Sequence, residues 1–319
     1  MNNADRIIRN SDSIVILSHI DEDADAFASS VAIKNVLDAM GKKTKYYLSG
    51  EIEKRLSFLS DDYEIYNPKK KTDGQWDLAI CLDSADLERL GDRAELLKNA
   101  KTTLSIDHHC TNTMYADVNI VDGDMSSASE MVYDLICEMG EEISRHTAEL
   151  LYAGIMSDTG CLKYSCASSK TVRTVAKLMD LGIDHAELSR KLFDTESIEV
   201  LRLKGYVIDR LKSFYDGKLT IVSVDNEVMN RLGVGVKDMG DIVNIPRSVS
   251  GTEVAVLIKK TSEKIKLSFR SNGKINVADI AVMLGGGGHA MAAGASMPLM
   301  ELDKAEEMLI KLIGESLNG

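Results

Sequence analysis

An α/β fold whose first half is a doubly wound parallel sheet is predicted by three features of the sequence. Short β-rich apolar runs alternate with helical stretches through the first half of the chain, several of those runs stop on an Asp or a His, and the pattern changes after a long helical stretch. The first run, 13–17 (SIVIL), reads as a buried strand. A helical pattern follows over about 24–40, with Gly41 standing where a helix would stop. Residues 45–48, 63–66, 78–82 and 103–106 are the next strand candidates, and 127–140 and 147–156 read as helices. The stretch 184–213 is polar-amphipathic and contains no Pro and only Gly205. It reads as a helical linker, which puts a first domain at 1–183 and a smaller α/β domain at 214–319. In the latter, 219–224, 252–259 and 264–270 look like strands, and 277–284 and 302–316 like helices.

With 319 residues and 44% hydrophobic content, the chain can bury more than one core. A charged fraction of 28% is ordinary for a globular protein and argues against wholesale disorder. No apolar run approaches the roughly 20 residues that span a bilayer. The opening MNNADRIIRN lacks the apolar segment of a signal peptide. The five cysteines, Cys81, Cys110, Cys137, Cys161 and Cys166, form no CxxC pair, and an odd count reads as reduced thiols. These readings predict a cytoplasmic protein with no membrane partner. A net charge of −12 argues against a grip on long duplex nucleic acid, which usually needs a basic surface. A nucleic-acid substrate would then be short, with metals rather than lysines meeting its charge. The run Lys69–Lys71 reads as a solvated loop.

Directly after the first strand candidate comes His19-Ile20-Asp21-Glu22-Asp23-Ala24-Asp25. Carboxylates this dense repel one another, and a fold tolerates them best around a cation. A solvated acidic loop would explain this segment alone. The next strand candidate ends in Asp83, and the one after it in Asp107-His108-His109. Asp158, followed by Thr159 and Gly160, closes the apolar run LLYAGIMS. Four elements therefore each deliver an Asp or His at their C-terminal end, and in an open parallel sheet strand ends face one crevice. The solvated-loop explanation would have to be invoked four times over. Mixed imidazole and carboxylate donors suit manganese, with magnesium or cobalt as substitutes, and the lack of a cysteine disfavours zinc. His146 reads as an N-terminal helix residue and His185 as a surface residue.

Near the C-terminus, Gly285-Gly286-Gly287-Gly288-His289 lets backbone approach an anion, and the small residues that follow are expected to start a helix. Upstream, Arg270-Ser271 ends a strand candidate, and an arginine there suits a phosphate or a base.

These motifs resemble the DHH phosphoesterase superfamily. The HxxxDxD of His19–Asp25, Asp83, the DHH of Asp107–His109 and Asp158-Thr159-Gly160 look like its four motifs, and Arg270-Ser271 with GGGGHAMAAG looks like its DHH-associated C-terminal domain. In size and layout the chain is similar to the bacterial nanoRNase group, described as bifunctional oligoribonuclease and pAp phosphatase. The resemblance implies two divalent ions, Mn²⁺ first among them, and in-line attack on phosphorus. His19 and Asp23 would hold one ion, Asp25, His108 and Asp158 the other, and Asp83 would bridge them. His109 would face the phosphate with Asp107 behind it, and Arg270, Ser271, Gly287, Gly288 and His289 would bind substrate. The expected substrates are short RNA or DNA oligonucleotides or pAp. The alternatives are a phosphodiesterase for cyclic di-AMP or linear dinucleotides such as pApA, or a non-catalytic nucleotide sensor; a homodimer is compatible with each. The family often has Pro where Glu22 stands, and an extra carboxylate at Glu22 or Asp21 is expected to shift metal preference.

Overall fold

Six parallel strands form the first sheet of the computed structural model, which describes residues 3–69, 75–235, 239 and 242–318. They are β1 (Ser13–Ser18), β2 (Lys43–Leu48), β3 (Glu64–Ile65), β4 (Trp76–Leu82), β5 (Ala100–Asp107) and β6 (Val118–Val121), in the order β3-β2-β1-β4-β5-β6. Lys70 and Lys71 of the lysine run lie outside the described residues. The central strands read as unbroken apolar runs because both faces of the sheet are covered. Ile14, Ile16, Ile80, Leu82, Leu104 and Ile106 pack under the helices Ala24–Ala39, Ala128–Met139 and Arg145–Asp158. Val15, Leu17, Ala79 and Cys81 alternate to the other face, where Leu90 and Leu96 of the kinked 3-10 segment Glu88–Asn99 cover them. The doubly wound α/β sheet expected from the sequence is therefore present, with β6 and Glu88–Asn99 added to the expected elements.

The chain divides into two units, Met1–Thr195 and Glu196–Gly319. The stretch expected as one helical linker, 184–213, is split between them. Leu188 and Leu192, on the helical turns His185–Ser189 and Arg190–Asp194, pack into the first core. Leu203 and Val207, on Ile198–Asp209, pack into a core of the second unit. Lys212 then enters β7 (Lys212–Phe214).

The second unit carries a mixed sheet. β7 is followed by β8 (Leu219–Asp225), β9 (Val254–Lys260), β10 (Ile265–Ser271), β11 (Gly287–His289) and β12 (Ala292–Met297), in the order β11-β12-β10-β9-β8-β7. Only β8 and β9 run parallel. Ile265, Leu267 and Phe269 alternate into a core with Ala293, Ala295 and Met297, closed by Val277–Met283 and Leu302–Asn318. The helix expected after His289 is absent: the small residues there form β12, which pairs with β11 and β10. Ala, Gly and Ser let three backbones lie flush, and that contact outweighs the helix preference of the alanines. No helix among the described residues is long and apolar enough to cross a membrane.

Candidate metal centre

Strand register brings the chemistry together. β1 and β4 are neighbours where the strand order reverses, the crevice in which open α/β sheets bind ligands. Ser18 pairs with Leu82, so His19 and Asp83 leave the sheet side by side. Leu82 pairs with Ile106 on β5, and the Asp83 N–H donates to the Ile106 carbonyl at 3.0 Å. Asp83 sits at φ 53, in the left-handed region that an Asp tolerates better than most residues.

His19 donates from Nδ1 to the Ile20 carbonyl at 2.7 Å. Its Nε2 is left 3.6 Å from Asp83 Oδ2 and 3.7 Å from Asp23 Oδ2. Asp23 caps the helix Ala24–Ala39, its Oδ1 accepting from the Asp25 and Ala26 N–H groups. Asp25 is wholly buried and accepts from the N–H groups of Ala128 (2.6 Å) and Ser129 (3.0 Å), in the first turn of a helix whose dipole favours an anion. A Cβ at Gly154 would stand 2.0 Å from Ser129 Oγ and 2.7 Å from Asp25 Oδ1, so only glycine lets Arg145–Asp158 approach this closely.

His108 Nε2 lies 3.2 Å from Asp158 Oδ2 and 3.3 Å from Asp83 Oδ1. Asp158 is the last residue of a helix rather than the end of a strand. His109 Nδ1 is 2.7 Å from Asp107 Oδ1 and 3.5 Å from Asp83 Oδ1, and Asn112 Nδ2 holds the other oxygen of Asp107 at 2.6 Å. Three donor groups result: His19, Asp23 and Asp83; Asp25, His108 and Asp158; and Asp83, His108 and His109.

The donor set fits divalent cations. Asp83 Oδ1 is buried, and although two imidazoles face it, neither is angled to donate to it. An anionic oxygen in that state is costly unless a cation meets it. Burial opposes charge on His19 and His108, yet Asp23 and Asp83 push His19 up to about 11, and the facing carboxylates push His108 up to about 10. Burial, with Asp83 adding to it, pushes Asp25 up to about 7, and burial plus the Asp25 charge holds Asp158 well above the carboxylate range. Burial raises Asp83 too, but the imidazoles of His108 and His19 outweigh it and keep its pKa below the usual value. Without metal, protons therefore hold this cluster together at neutral pH.

A divalent ion must displace those protons, because ligation needs neutral imidazole and ionised carboxylate. Adding Mn²⁺ to chelator-stripped protein in weak buffer at pH 7 is expected to acidify the solution. Affinity is expected to rise about tenfold per pH unit for each proton displaced. The raised groups stabilise the stripped fold below their unfolded pKa values, and that stability is lost as pH rises through the raised ones, from about 4 upward for Asp25. Saturating metal should flatten this decline. A pH-independent affinity across titrations at several pH values, or no proton release when calorimetry compares two buffers of different ionisation enthalpy, would contradict the assignment.

Glu22 is not a spare ligand. Its Oε1 accepts from Arg93 Nη1 (2.6 Å) and the Ser49 N–H (2.7 Å), and its Oε2 from Ser49 Oγ (2.8 Å). Arg93, 1% exposed, also donates to the carbonyls of Tyr47 and Ser18. The expected shift in metal preference therefore has no basis at Glu22, whose carboxylate is already satisfied. Instead it ties the His19 loop to Glu88–Asn99, where the Ile20 N–H also donates to the Arg89 carbonyl at 2.7 Å. Asp21, at φ 55, donates its N–H to Ser49 Oγ and stays exposed. Sequence reading missed Arg93, because nothing in ERLGDRAELLKN marks one arginine as buried. His146 sits in the first turn of Arg145–Asp158 and His185 opens the helix His185–Ser189; both side chains are exposed, and neither joins a donor group.

The remaining expected residues lie on the second sheet. Arg270 and His289 share a row, since both pair with Ala292 from opposite sides. Ser271 does not join them: it is fully buried on the opposite face, and its Oγ accepts from the Gly273 N–H. Of the glycines, a Cβ at Gly286 would stand 2.1 Å from the Gly294 carbonyl and one at Gly288 2.5 Å from Ala293 Cα. Those two serve strand packing, and Gly287 alone of the run 286–288 faces open space.

Residues 13–155 match the DHH family, N-terminal domain, and residues 207–315 match the DHHA1 domain. The chain is 32% identical to the bifunctional oligoribonuclease and PAP phosphatase NrnA of Thermus thermophilus, over 95% of this chain and 90% of that protein. It is 28% identical to the protein of the same name from Bacillus subtilis, over 96% of each. A crystal structure of an exopolyphosphatase-related protein from Bacteroides fragilis superposes with a TM-score of 0.91 at 28% identity, covering 98% of this chain and 94% of that one. With both domains in order and a relative matched along nearly its whole length, the chain belongs to the DHH family, carrying a DHH N-terminal domain followed by a DHHA1 domain.

Proposed function

We propose that the chain is a divalent-metal phosphoesterase that hydrolyses short oligonucleotides, pAp or both. Family membership indicates a hydrolase acting on phosphate esters. The observation that carries this reading is the convergence of His19, Asp23, Asp25, Asp83, His108 and Asp158 in donor groups joined through Asp83 and His108, with Asp83 Oδ1 buried and without a hydrogen-bond partner. His19 and Asp23 would hold one ion, Asp25, His108 and Asp158 would hold the other, and Asp83 would serve both. Bound there, two divalent ions, Mn²⁺ by the mixed donor set, would neutralise phosphate charge and activate water for in-line attack. Asp107 holds His109 by Nδ1, which orients the imidazole toward the phosphate. Arg270, Gly287 and His289 bind the nucleotide or its terminal phosphate, Gly288 lets β11 lie against β12 beside them, and Ser271 holds the turn behind Arg270. A sensor would be expected to have lost a ligand, whereas every ligand position here carries a donor.

The test is purified protein with Mn²⁺ against dinucleotide to pentanucleotide RNAs, pAp, pApA, cyclic di-AMP and an RNA of about 24 nucleotides, the last expected to bind poorly at a charge of −12. Short substrates are expected to be degraded much faster than the long one. Activity should vanish with chelator and return best with Mn²⁺. Equal rates at all lengths, or full turnover in excess chelator, would sink the reading; cleavage confined to cyclic di-AMP and pApA would move it to a dinucleotide phosphodiesterase.

A further inference from the structure

One face of the second sheet carries three cations, Lys259, Lys266 and Arg270, with small residues between the rows on β10, β12 and β11. Lys259 on β9 pairs directly with Lys266 on β10, and Lys266 with Ser296 on β12, so the three side chains form a row across the sheet. Arg270 lies four residues further along β10 on the same face, in the row that ends at His289. At about 3.3 Å per residue the two rows are about 13 Å apart. Between them, on β10, β12 and β11, the floor is Ser268, Gly294 and Gly287, none with a side chain larger than a hydroxymethyl; on β9 the residue of that row is Leu257, buried in the core around Leu203 and Val207. The other face of these strands is the apolar core.

The lysine row is unusual in what it lacks. Lys259 is 9% exposed, and among the described residues no carboxylate pairs with it or with Lys266. Burial lowers its pKa, and Lys266 and Arg270 lower it further. Directly opposed like charges destabilise a sheet. A pair kept in that arrangement beside an open trough is what an anion-binding site requires, and residues that break a local rule without a structural return concentrate at such sites.

We infer that Lys259 and Lys266 form a second anion subsite, which takes a further phosphate of an oligonucleotide whose other end lies at the Arg270–His289 row. The inference rests on the proposed function and extends it: the trough favours substrates with more than one non-scissile phosphate. A trinucleotide such as pApApA engages both rows. In pAp only one phosphate remains once the other is at the metals.

The test uses the full-length, Mn²⁺-loaded protein with Lys259→Met and Lys266→Gln, singly and together. KM for pApApA is expected to rise about tenfold in the double variant, the equivalent of one charge-assisted hydrogen bond, and by a clearly larger factor than KM for pAp. The slope of log KM for pApApA against log salt should shrink by about 0.7, the value of one phosphate contact on a single strand. The melting temperature of Lys259→Met should equal or exceed that of the wild type, since a buried charge without a partner has gone; a lysine with only a structural role would give a lower one. An unchanged pApApA KM and salt slope, or equal losses on both substrates, would overturn the subsite while leaving the proposed function intact. A wild type that hydrolyses neither substrate would defeat the proposed function, and the subsite with it.

Discussion

Asp83→Ala is expected to abolish measurable turnover and to reduce metal content at both sites. Asp83 belongs to two of the three donor groups, facing His19 through Oδ2 and His108 through Oδ1. A carboxylate shared by two cations screens their repulsion and sets their separation. Its place is fixed by backbone: the turn after β4 holds it at φ 53, with its N–H bound to the Ile106 carbonyl. Asp83→Asn keeps the shape and removes the charge. Both ions should then bind more weakly, and a misplacement of about 1 Å can cost roughly a hundredfold in rate. The other acids are less exposed to single loss, because Asp23 and Asp25 stand on one turn and Asp158 shares His108 with Asp83. Elemental analysis and single-turnover kinetics on the two variants decide the matter. A folded Asp83→Ala protein that retains two metals and turns over near the wild-type rate would remove the two-metal assignment itself.

What the sequence made legible follows from how each signal arises. β1 and β4 could be read because a strand buried on both faces carries a continuous apolar run, and β5 because Leu104 and Ile106 lead directly into Asp107-His108-His109; the polar residues after each mark the crevice end. That gave His19, Asp83 and Asp107–His109 their places before any register was known. β6 and Glu88–Asn99 gave no such signal: the strand is only half-buried, and in the 3-10 segment only Leu90, Arg93 and Leu96 are buried among mostly polar residues. Yet that segment supplies Arg93, which locks Glu22 and hence the His19 loop. The expected helix after His289 failed because propensity is local, whereas the flush packing of β10, β12 and β11 is a property of three strands. Ser271 was misplaced for a related reason. Adjacent residues on a strand face opposite ways, so a neighbour in sequence to Arg270 could not share its face.

His109→Gln is expected to keep both metals and to lose kcat by about 10² to 10⁴, the usual worth of a positioned proton donor or acceptor. The geometry separates this residue from its neighbour. His108 places Nε2 between Asp83 and Asp158, 3.3 and 3.2 Å away, as a ligand would. His109 instead commits Nδ1 to Asp107 at 2.7 Å, nearer than Asp83 at 3.5 Å, and Asp107 is fully buried and anchored by Asn112. A cation on Nδ1 would have to break that pair. The Asp107 hydrogen bond raises the His109 pKa, so the imidazolium persists to higher pH than a free imidazole would. An interaction of that cation with the phosphate is fully present below its pKa and lost as pH rises through it. The wild type should show an alkaline limb in kcat/KM that disappears in His109→Gln. Asp107→Asn, which removes the raising partner, should move the limb to lower pH. Metal analysis separates the alternatives. If His109→Gln loses an equivalent of Mn²⁺ in proportion to its activity, His109 is a ligand and the phosphate-facing role is wrong; if metal content holds while kcat falls and the limb vanishes, the Asp107–His109 pair serves the phosphate.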